Sequence, residues 1–307
     1  MNPTAWRDLV GRADRWLRTE RRRPIRRLSP LDRALAGAVG LAGFFAAVVV
    51  AGTAHAQVDA AKLYADTCAA CHGETRLGGQ GPALLPVSLG RIKPAEVAKT
   101  IREGRPATQM EGFGDRLSAA DIEALAAFVL KEPPVQPTWT LDDVKASREV
   151  HTAPTATKPV WTADPLNLFV VVEAGDHHVT LLDGDTFEPI TRFASRFALH
   201  GGPKFTPDGR FVFFGSRDGW ITKYDLWTLT VVAEARAGIN MRNIALSSDG
   251  KWIAAANYLP STLVILSADD LSPVKQFDVA DAEGTPSRVS AVYQAPDRKS
   301  FVAALKD

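Results

Sequence analysis

The residues most able to do chemistry are two thiols and an imidazole. Cys68 and Cys71 are the only cysteines among the 307 residues, and His72 follows directly in the run Cys68-Ala69-Ala70-Cys71-His72. Two intervening residues let both sulfurs reach the vinyl groups of one porphyrin, while the adjacent histidine can bind its iron. The spacing therefore predicts covalent attachment of a c-type haem (haem c).

A thiol–disulfide exchange pair is the alternative interpretation of this cysteine spacing. Such pairs favour a βαβ setting, whereas the motif here follows a helix-forming stretch from Ala60 to Thr67. The export signal described below also favours the haem interpretation.

The sixth iron ligand has few candidates, because the methionines are Met1, Met110 and Met241. Met110 lies 38 residues after His72, in a segment whose Gly, Pro and Gln residues suit a loop. A Met/His pair raises the reduction potential and suits electron transfer. The alternative role of Met110 is to fill a gap in the core.

Helical patterns surround the haem motif. Ser118-Ala119-Ala120-Asp121 resembles a capping box, and the apolar residues after it recur at helical spacing as far as Val129. Pro133-Pro134 must end that helix. Residues 59–131 resemble a class I cytochrome c domain, and Gly81-Pro82-Ala83-Leu84 also matches that family. The resemblance implies that the carbonyl of Pro82 accepts a hydrogen bond from His72.

The first 56 residues resemble a secretory signal. They carry ten arginines and four acidic residues before an apolar run from Ala34 to Gly52, and Ala54-His55-Ala56 fits a cleavage site. We predict cleavage after Ala56 and a periplasmic location; the alternative is a retained membrane anchor. The remaining chain has 26 basic and 31 acidic residues. No basic domain remains, which argues against a nucleic-acid partner.

The second half of the chain contains a β-type repeat. Asp208, Asp249 and Asp297 each lie in a turn before an apolar strand, at separations of 41 and 48 residues. Four strands in each repeat of this length are typical of a β-propeller blade, with a coincidentally spaced sandwich as the alternative. We therefore predict a secretory signal at 1–56, a cytochrome c domain at 57–132, a linker at 133–160 and part of a propeller at 161–307. About half a ring is expected.

Several motifs of the second half resemble the cytochrome cd1 family, in which an eight-bladed propeller follows a cytochrome c domain and binds haem d1. These motifs are Leu199-His200-Gly201-Gly202, Ser216-Arg217-Asp218-Gly219-Trp220, Ala237-Gly238-Ile239-Asn240-Met241-Arg242-Asn243, Ala256-Asn257-Tyr258-Leu259-Pro260 and Ser287-Arg288-Val289-Ser290. Within that family the chain is similar to the dihydro-haem d1 dehydrogenase branch, which oxidises a propionate of the tetrapyrrole to an acrylate.

The resemblance implies roles for individual residues. His200 matches the proximal ligand of haem d1, and Tyr258 is a candidate for the pocket wall. Arg217, Arg242 and Arg288 match positions that face the carboxylates of the macrocycle, a role that suits the planar guanidinium.

A dehydrogenation also needs a base, and the paired His177 and His178 are candidates because imidazole titrates near neutrality. Haem c and haem d1 or dihydro-haem d1 are thus the expected cofactors. The expected partners are a haem d1 precursor, a soluble electron acceptor, and nitrite reductase or other haem d1 assembly proteins.

Two other functions remain open. A cytochrome cd1 nitrite reductase would need an active-site histidine in the turn that here reads Gln294-Ala295-Pro296-Asp297-Arg298-Lys299, and none is present. A non-enzymatic carrier of electrons or haem d1 would bind the tetrapyrrole without altering it.

Overall fold

The computed structural model describes residues 58–151 and 155–306. The predicted secretory signal, residues 1–56, lies outside the described residues, so cleavage after Ala56 stays a prediction. Within the described ranges, no helix is both long and apolar enough to cross a membrane.

The helical part, residues 58–131, is built from short helices around the haem motif. In the described part of the chain these are α1 (Ala60–Thr67), α2 (Ala69–His72), α3 (Pro86–Leu89), α4 (Pro94–Glu103) and α5 (Ala119–Leu130).

Local capping residues and one core determine these helices. The Asp59 carboxylate accepts the Lys62 N–H at 3.0 Å at the start of α1. The predicted capping box of α5 is present, since Ser118 and Asp121 exchange side chain to backbone hydrogen bonds. Apolar side chains of α1, α4 and α5 then meet in one core, and Leu125 at its centre is fully buried.

The segment predicted to be a linker is folded in part. Helix α6 (Leu141–Ala146) begins with a capping box at Thr140, and its Val144 is fully buried in the core of the β part. Strand β1 (Glu149–Val150) then pairs antiparallel with a strand of the second sheet. The proline-rich composition therefore marks only the beginning of this segment as a connection.

The β part, residues 155–306, consists of short antiparallel strands. They are β2 (Leu168–Glu173), β3 (His178–Asp183), β4 (Pro189–Ala194), β5 (Lys204–Phe205), β6 (Phe211–Gly215), β7 (Trp220–Asp225), β8 (Thr230–Arg236), β9 (Asn240–Leu246), β10 (Trp252–Leu259), β11 (Thr262–Ser267), β12 (Pro273–Asp278), β13 (Val289–Ala295) and β14 (Ser300–Leu305).

These strands form successive sheets that correspond to propeller blades. Their strand orders are β2-β3-β4, β1-β8-β7-β6-β5, β12-β11-β10-β9 and β13-β14. Four strands are expected in each, but within the described residues only the third sheet has four. The second sheet has five because β1 extends its outer edge.

Apolar residues fill the space between neighbouring sheets. Val179 packs with Phe214 between the first two sheets, and Phe213 packs in the cluster of Ile253 between the second and third. Val292 continues this pattern between the third and fourth sheets. This face-to-face stacking of small twisted sheets is the architecture of a partial propeller.

One buried arginine joins the helical part to the β part. The Nη2 of Arg236 donates to the carbonyl oxygen of Leu77 at 2.5 Å, and its Nε donates to the carbonyl oxygen of Asp218 at 2.8 Å. The guanidinium carbon lies 4.9 Å from the ring centroid of Trp139, a cation–π arrangement. Because Leu77 closely follows His72, this junction fixes the loop after the haem motif on the β part.

Candidate functional site

The haem motif lies at a break between two helices. The Cys68 N–H closes α1 by donating to the carbonyl oxygen of Tyr64 at 2.8 Å, and α2 begins at the next residue. Cys71 is exposed, while Cys68 is half-buried and burial raises the pKa of its thiol. One turn of helix thus presents both sulfurs and the following imidazole.

A loop after the motif orients the imidazole of His72. The Gly81 N–H donates to the carbonyl oxygen of Cys71 at 2.8 Å, which brings Pro82 against the histidine ring. The Nδ1 of His72 lies 2.8 Å from the Pro82 carbonyl oxygen and donates to it, leaving Nε2 available to iron. Burial lowers the pKa of His72, which favours the neutral form that binds metals.

Gly81 leaves room for that ring. A Cβ at this position would lie 2.7 Å from Cε1 of His72. We expect Gly81→Ala to destabilise the haem-loaded protein by about 1–3 kcal/mol, because the ligand ring must shift. Thermal unfolding followed through the haem absorbance measures the change.

Gly90→Ala is the matched control for that substitution. The Cβ it adds meets its nearest neighbour, the Pro86 carbonyl oxygen, at 3.4 Å. Equal unfolding temperatures for the two variants would show that the contact with His72 is unimportant.

Met110 lies in a tight loop after α4. The Arg105 N–H donates to the carbonyl oxygen of Met110 at 2.9 Å, and the Met110 N–H donates to Thr108 Oγ1 at 3.2 Å. The residue is half-buried. This geometry holds the methionine backbone firmly, and its role as sixth ligand stays a prediction.

His200 is fixed just before β5. Its N–H donates to the carbonyl oxygen of Gly215 at 2.7 Å, and its Nδ1 lies 2.7 Å from the carbonyl oxygen of Arg242. Nδ1 is thus the donating nitrogen and Nε2 is available to a metal. Burial lowers the pKa of this histidine too, which favours the neutral ligand form.

Tyr258 is surrounded by cations. The guanidinium carbons of Arg242 and Arg288 lie 5.4 and 5.5 Å from its ring centroid, and the Nζ of Lys306 lies 5.4 Å away. The Nε of Arg242 is buried, and no partner for it is found within the described part of the chain. A cluster with an unused buried donor fits a ligand rich in carboxylates.

Arg217 belongs to the same group of cations. Its carbonyl oxygen accepts the Met241 N–H at 3.0 Å, which joins the β6–β7 turn to the start of β9. Burial lowers the pKa of Arg217, and the charges of Arg242 and Arg91 lower it further. Arg91 comes from the helical part, so both parts of the molecule contribute cations.

The topology explains why these residues meet. The turn with Arg217 follows β6, Tyr258 lies near the end of β10, and β13 begins directly after Arg288. In antiparallel sheets, the start of one strand lies beside the end of its partner, as in the pairing of Leu259 with Asn240. All these positions therefore lie on one rim of the partial ring. We name it the cationic rim; it carries Arg217, Arg242, Tyr258 and Arg288.

Two of these cations carry no motif in the sequence. Lys306 pairs through its backbone N–H with the carbonyl oxygen of Arg288 at 3.0 Å, so correct pairing of β13 with β14 would have identified it. Arg91 shows no local signal, because only tertiary packing brings it close to Arg217.

His177 ends the turn between β2 and β3, and His178 is the first residue of β3. The rings of His177 and Phe197 meet edge to face, with 5.3 Å between their centroids, and burial lowers the pKa of His177. The Nδ1 of His178 lies 2.9 Å from the carbonyl oxygen of Asp176. That carbonyl also accepts a hydrogen bond from Gln109 of the helical part. The turn thus contacts the segment before Met110, and the described contacts do not join either histidine to Tyr258.

Comparisons with known proteins agree with both parts of this structure. Residues 163–307 match the family model of the cytochrome D1 heme domain, and residues 56–129 match the model of cytochrome C oxidase, cbb3-type, subunit III. These matches correspond to the β part and the helical part.

Individual relatives point in the same direction. The chain is 60% identical to the dihydro-heme d1 dehydrogenase of Pseudomonas aeruginosa over 248 residues, covering 80% of this chain and 50% of that protein. It is 26% identical over 307 residues to the nitrite reductase of Stutzerimonas stutzeri, covering 87% of this chain and 54% of that protein.

A solved structure of the dihydro-heme d1 dehydrogenase NirN in complex with DHE superposes with a TM-score of 0.74 and 59% identity. The alignment covers 80% of this chain and 53% of that one. The chain spans about half the length of the relatives it matches.

Proposed function

Because the chain belongs to the cytochrome cd1 family, we propose that it is a periplasmic oxidoreductase of haem d1 biosynthesis. The substrate is dihydro-haem d1, and the reaction converts one propionate side chain to an acrylate. Two electrons and two protons leave the side chain as the C=C bond forms. The electrons pass one at a time through the haem c site to two molecules of a soluble one-electron acceptor, and the protons pass to a base and to solvent.

The observation that carries this proposal is the cationic rim beside an oriented histidine. A ligand with several carboxylates would be neutralised by Arg217, Arg242 and Arg288, and His200 would bind its iron through Nε2. When bound, the tetrapyrrole supplies the carbon skeleton that is oxidised, and haem c supplies a one-electron relay.

The helical part supports the electron-transfer half of the proposal. Cys68 and Cys71 would hold the haem covalently, while His72 and Met110 would bind its iron. A Met/His pair raises the reduction potential of the haem, which suits it to accept electrons.

His177 and His178 are our candidates for the base that accepts a proton. Burial lowers the pKa of His177, which favours the neutral imidazole that a proton acceptor needs. Within the described residues, the buried Nδ1 of His177 has no hydrogen-bond partner.

The test combines full-length haem-loaded protein with dihydro-haem d1 and a one-electron oxidant. We expect the tetrapyrrole absorption spectrum to change, and haem c to be reduced transiently before the oxidant takes up its electron. An unchanged tetrapyrrole spectrum with haem c remaining oxidised would refute the proposal and favour a carrier that binds without reacting.

The nitrite reductase alternative has its own readout in the same preparation. Turnover of nitrite with a reduced electron donor would support it, and we expect none, because the turn from Gln294 to Lys299 offers no histidine as proton donor. If the dehydrogenase proposal is correct, the haem d1 that this chain produces would pass to nitrite reductase or to another haem d1 assembly protein.

A further inference from the structure

We infer that the β2–β3 turn of the first sheet holds the loop that carries Met110, so that Gln109 and Gly175 are positioning residues for the axial ligand of haem c. This inference rests on the proposed ligation by Met110. It gives the first sheet a role in haem c ligation in addition to the proton-accepting role proposed for His177 and His178.

The first observation is a hydrogen bond between the two parts of the chain. Gln109 directly precedes Met110, and its Nε2 donates to the carbonyl oxygen of Asp176 at 3.3 Å. The amide side chain thereby connects the ligand loop to a residue 67 positions further along the chain. The Gln109 side chain is exposed, so packing in a core does not hold it against Asp176.

The second observation is a close backbone approach at the neighbouring residue. A Cβ built on Gly175 would lie 2.3 Å from the carbonyl oxygen of Ala107. A side chain at this position would therefore have to push the ligand loop away from the turn. Glycine here permits direct contact between the two backbones.

The turn is well suited to act as a fixed surface. Arg192 donates to the carboxylates of both Glu173 and Asp176, with a distance of 2.7 Å from its Nη2 to Glu173 Oε2. The same Asp176 carbonyl that receives Gln109 also receives the Nδ1 of His178 at 2.9 Å. Several side chains thus hold the acceptor in one orientation.

The ligand loop transmits a displacement at Gln109 to Met110. The hydrogen bonds from Arg105 to the Met110 carbonyl, and from Thr108 to the Arg105 carbonyl at 2.9 Å, close the loop on itself. Residues between Arg105 and Met110 therefore move together. A neutral thioether is a weak ligand, so its occupancy depends on how firmly its loop is held.

The experiment replaces the hydrogen-bond donor without changing side-chain size. Gln109→Glu removes the donor and presents a carboxylate to the Asp176 carbonyl oxygen. Gln136→Glu is the matched control, because that exposed glutamine donates only to nearby Glu132 among its described contacts. Both variants carry the same added charge. Gly175→Ala tests the backbone contact independently.

Two measurements on the oxidised, haem-loaded protein report ligation. One is the charge-transfer absorption band of the methionine–iron bond, and the other is the affinity of the iron for added imidazole. We expect Gln109→Glu to bind imidazole about tenfold more tightly than wild type, since one hydrogen bond is lost and repulsion replaces it. Gly175→Ala should act at least as strongly, and Gln136→Glu should match wild type.

The outcomes separate this inference from the proposed ligation. If wild type shows the methionine band and Met110→Ala loses it, but Gln109→Glu and Gly175→Ala both behave as wild type, the positioning role is wrong and the ligation stands. Wild-type protein without the band would refute both. Equal effects of Gln109→Glu and Gln136→Glu would assign the change to charge alone and overturn the inference.

Discussion

A variant that carries both Cys68→Ser and Cys71→Ser contains no covalent haem after maturation in a haem-loading host. Serine cannot form the thioether bonds, and the rest of the chain has no other cysteine. We expect complete loss of haem-linked colour on a denaturing gel. The helical core should also lose stability, because Cys68 and Ala69 line its edge.

The two single variants and one neighbour complete this experiment. Each single cysteine variant should retain one thioether and a fraction of the covalent haem. Ala70→Ser introduces the same side chain at an exposed position of α2 and should load haem normally. Haem that survived denaturation in the double variant would remove the basis of the proposed electron relay.

His200→Ala should weaken binding of haem d1 by at least about 100-fold, as expected for loss of an iron ligand. The native ring is oriented by its 2.7 Å contact with the Arg242 carbonyl oxygen, so Nε2 needs no reorganisation before it binds. Titration of the purified protein with haem d1, followed by visible absorption, measures the affinity.

His151→Ala is the control for that experiment, since it removes an exposed histidine that the proposal does not use. It should leave the affinity unchanged. Equal binding by His200→Ala and wild type would mean that the cations around Tyr258 hold the tetrapyrrole without this ligand.

Local patterns predicted the haem motif and much of the secondary structure. The capping box at Ser118 and the apolar spacing after it correspond to α5, and the stretch from Ala60 to Thr67 corresponds to α1. Both signals depend on neighbours within a few residues, which a sequence displays directly. The matches to family models then confirm the resemblance that the longer motifs suggested.

Features that depend on distant partners could not be predicted in this way. Helix α6 begins with a local capping box at Thr140, but it is short, and its stability also depends on burial of Val144 against the second sheet. Strand β1 contains only Glu149 and Val150, and it pairs with Glu234 and Ala233 of β8. Arg91 approaches Arg217 only because the helical part packs on the rim.

The Arg236 junction has a consequence for the rate of the proposed electron transfer. A relay domain on a loose tether must search for its electron donor, and such a search slows as the solvent becomes more viscous. Here the Arg236 guanidinium contacts both Trp139 and Leu77. The loop after the haem motif is therefore already bound to the sheet that carries Arg217. The proposed electron transfer within the molecule should therefore proceed at the same rate when glycerol is added.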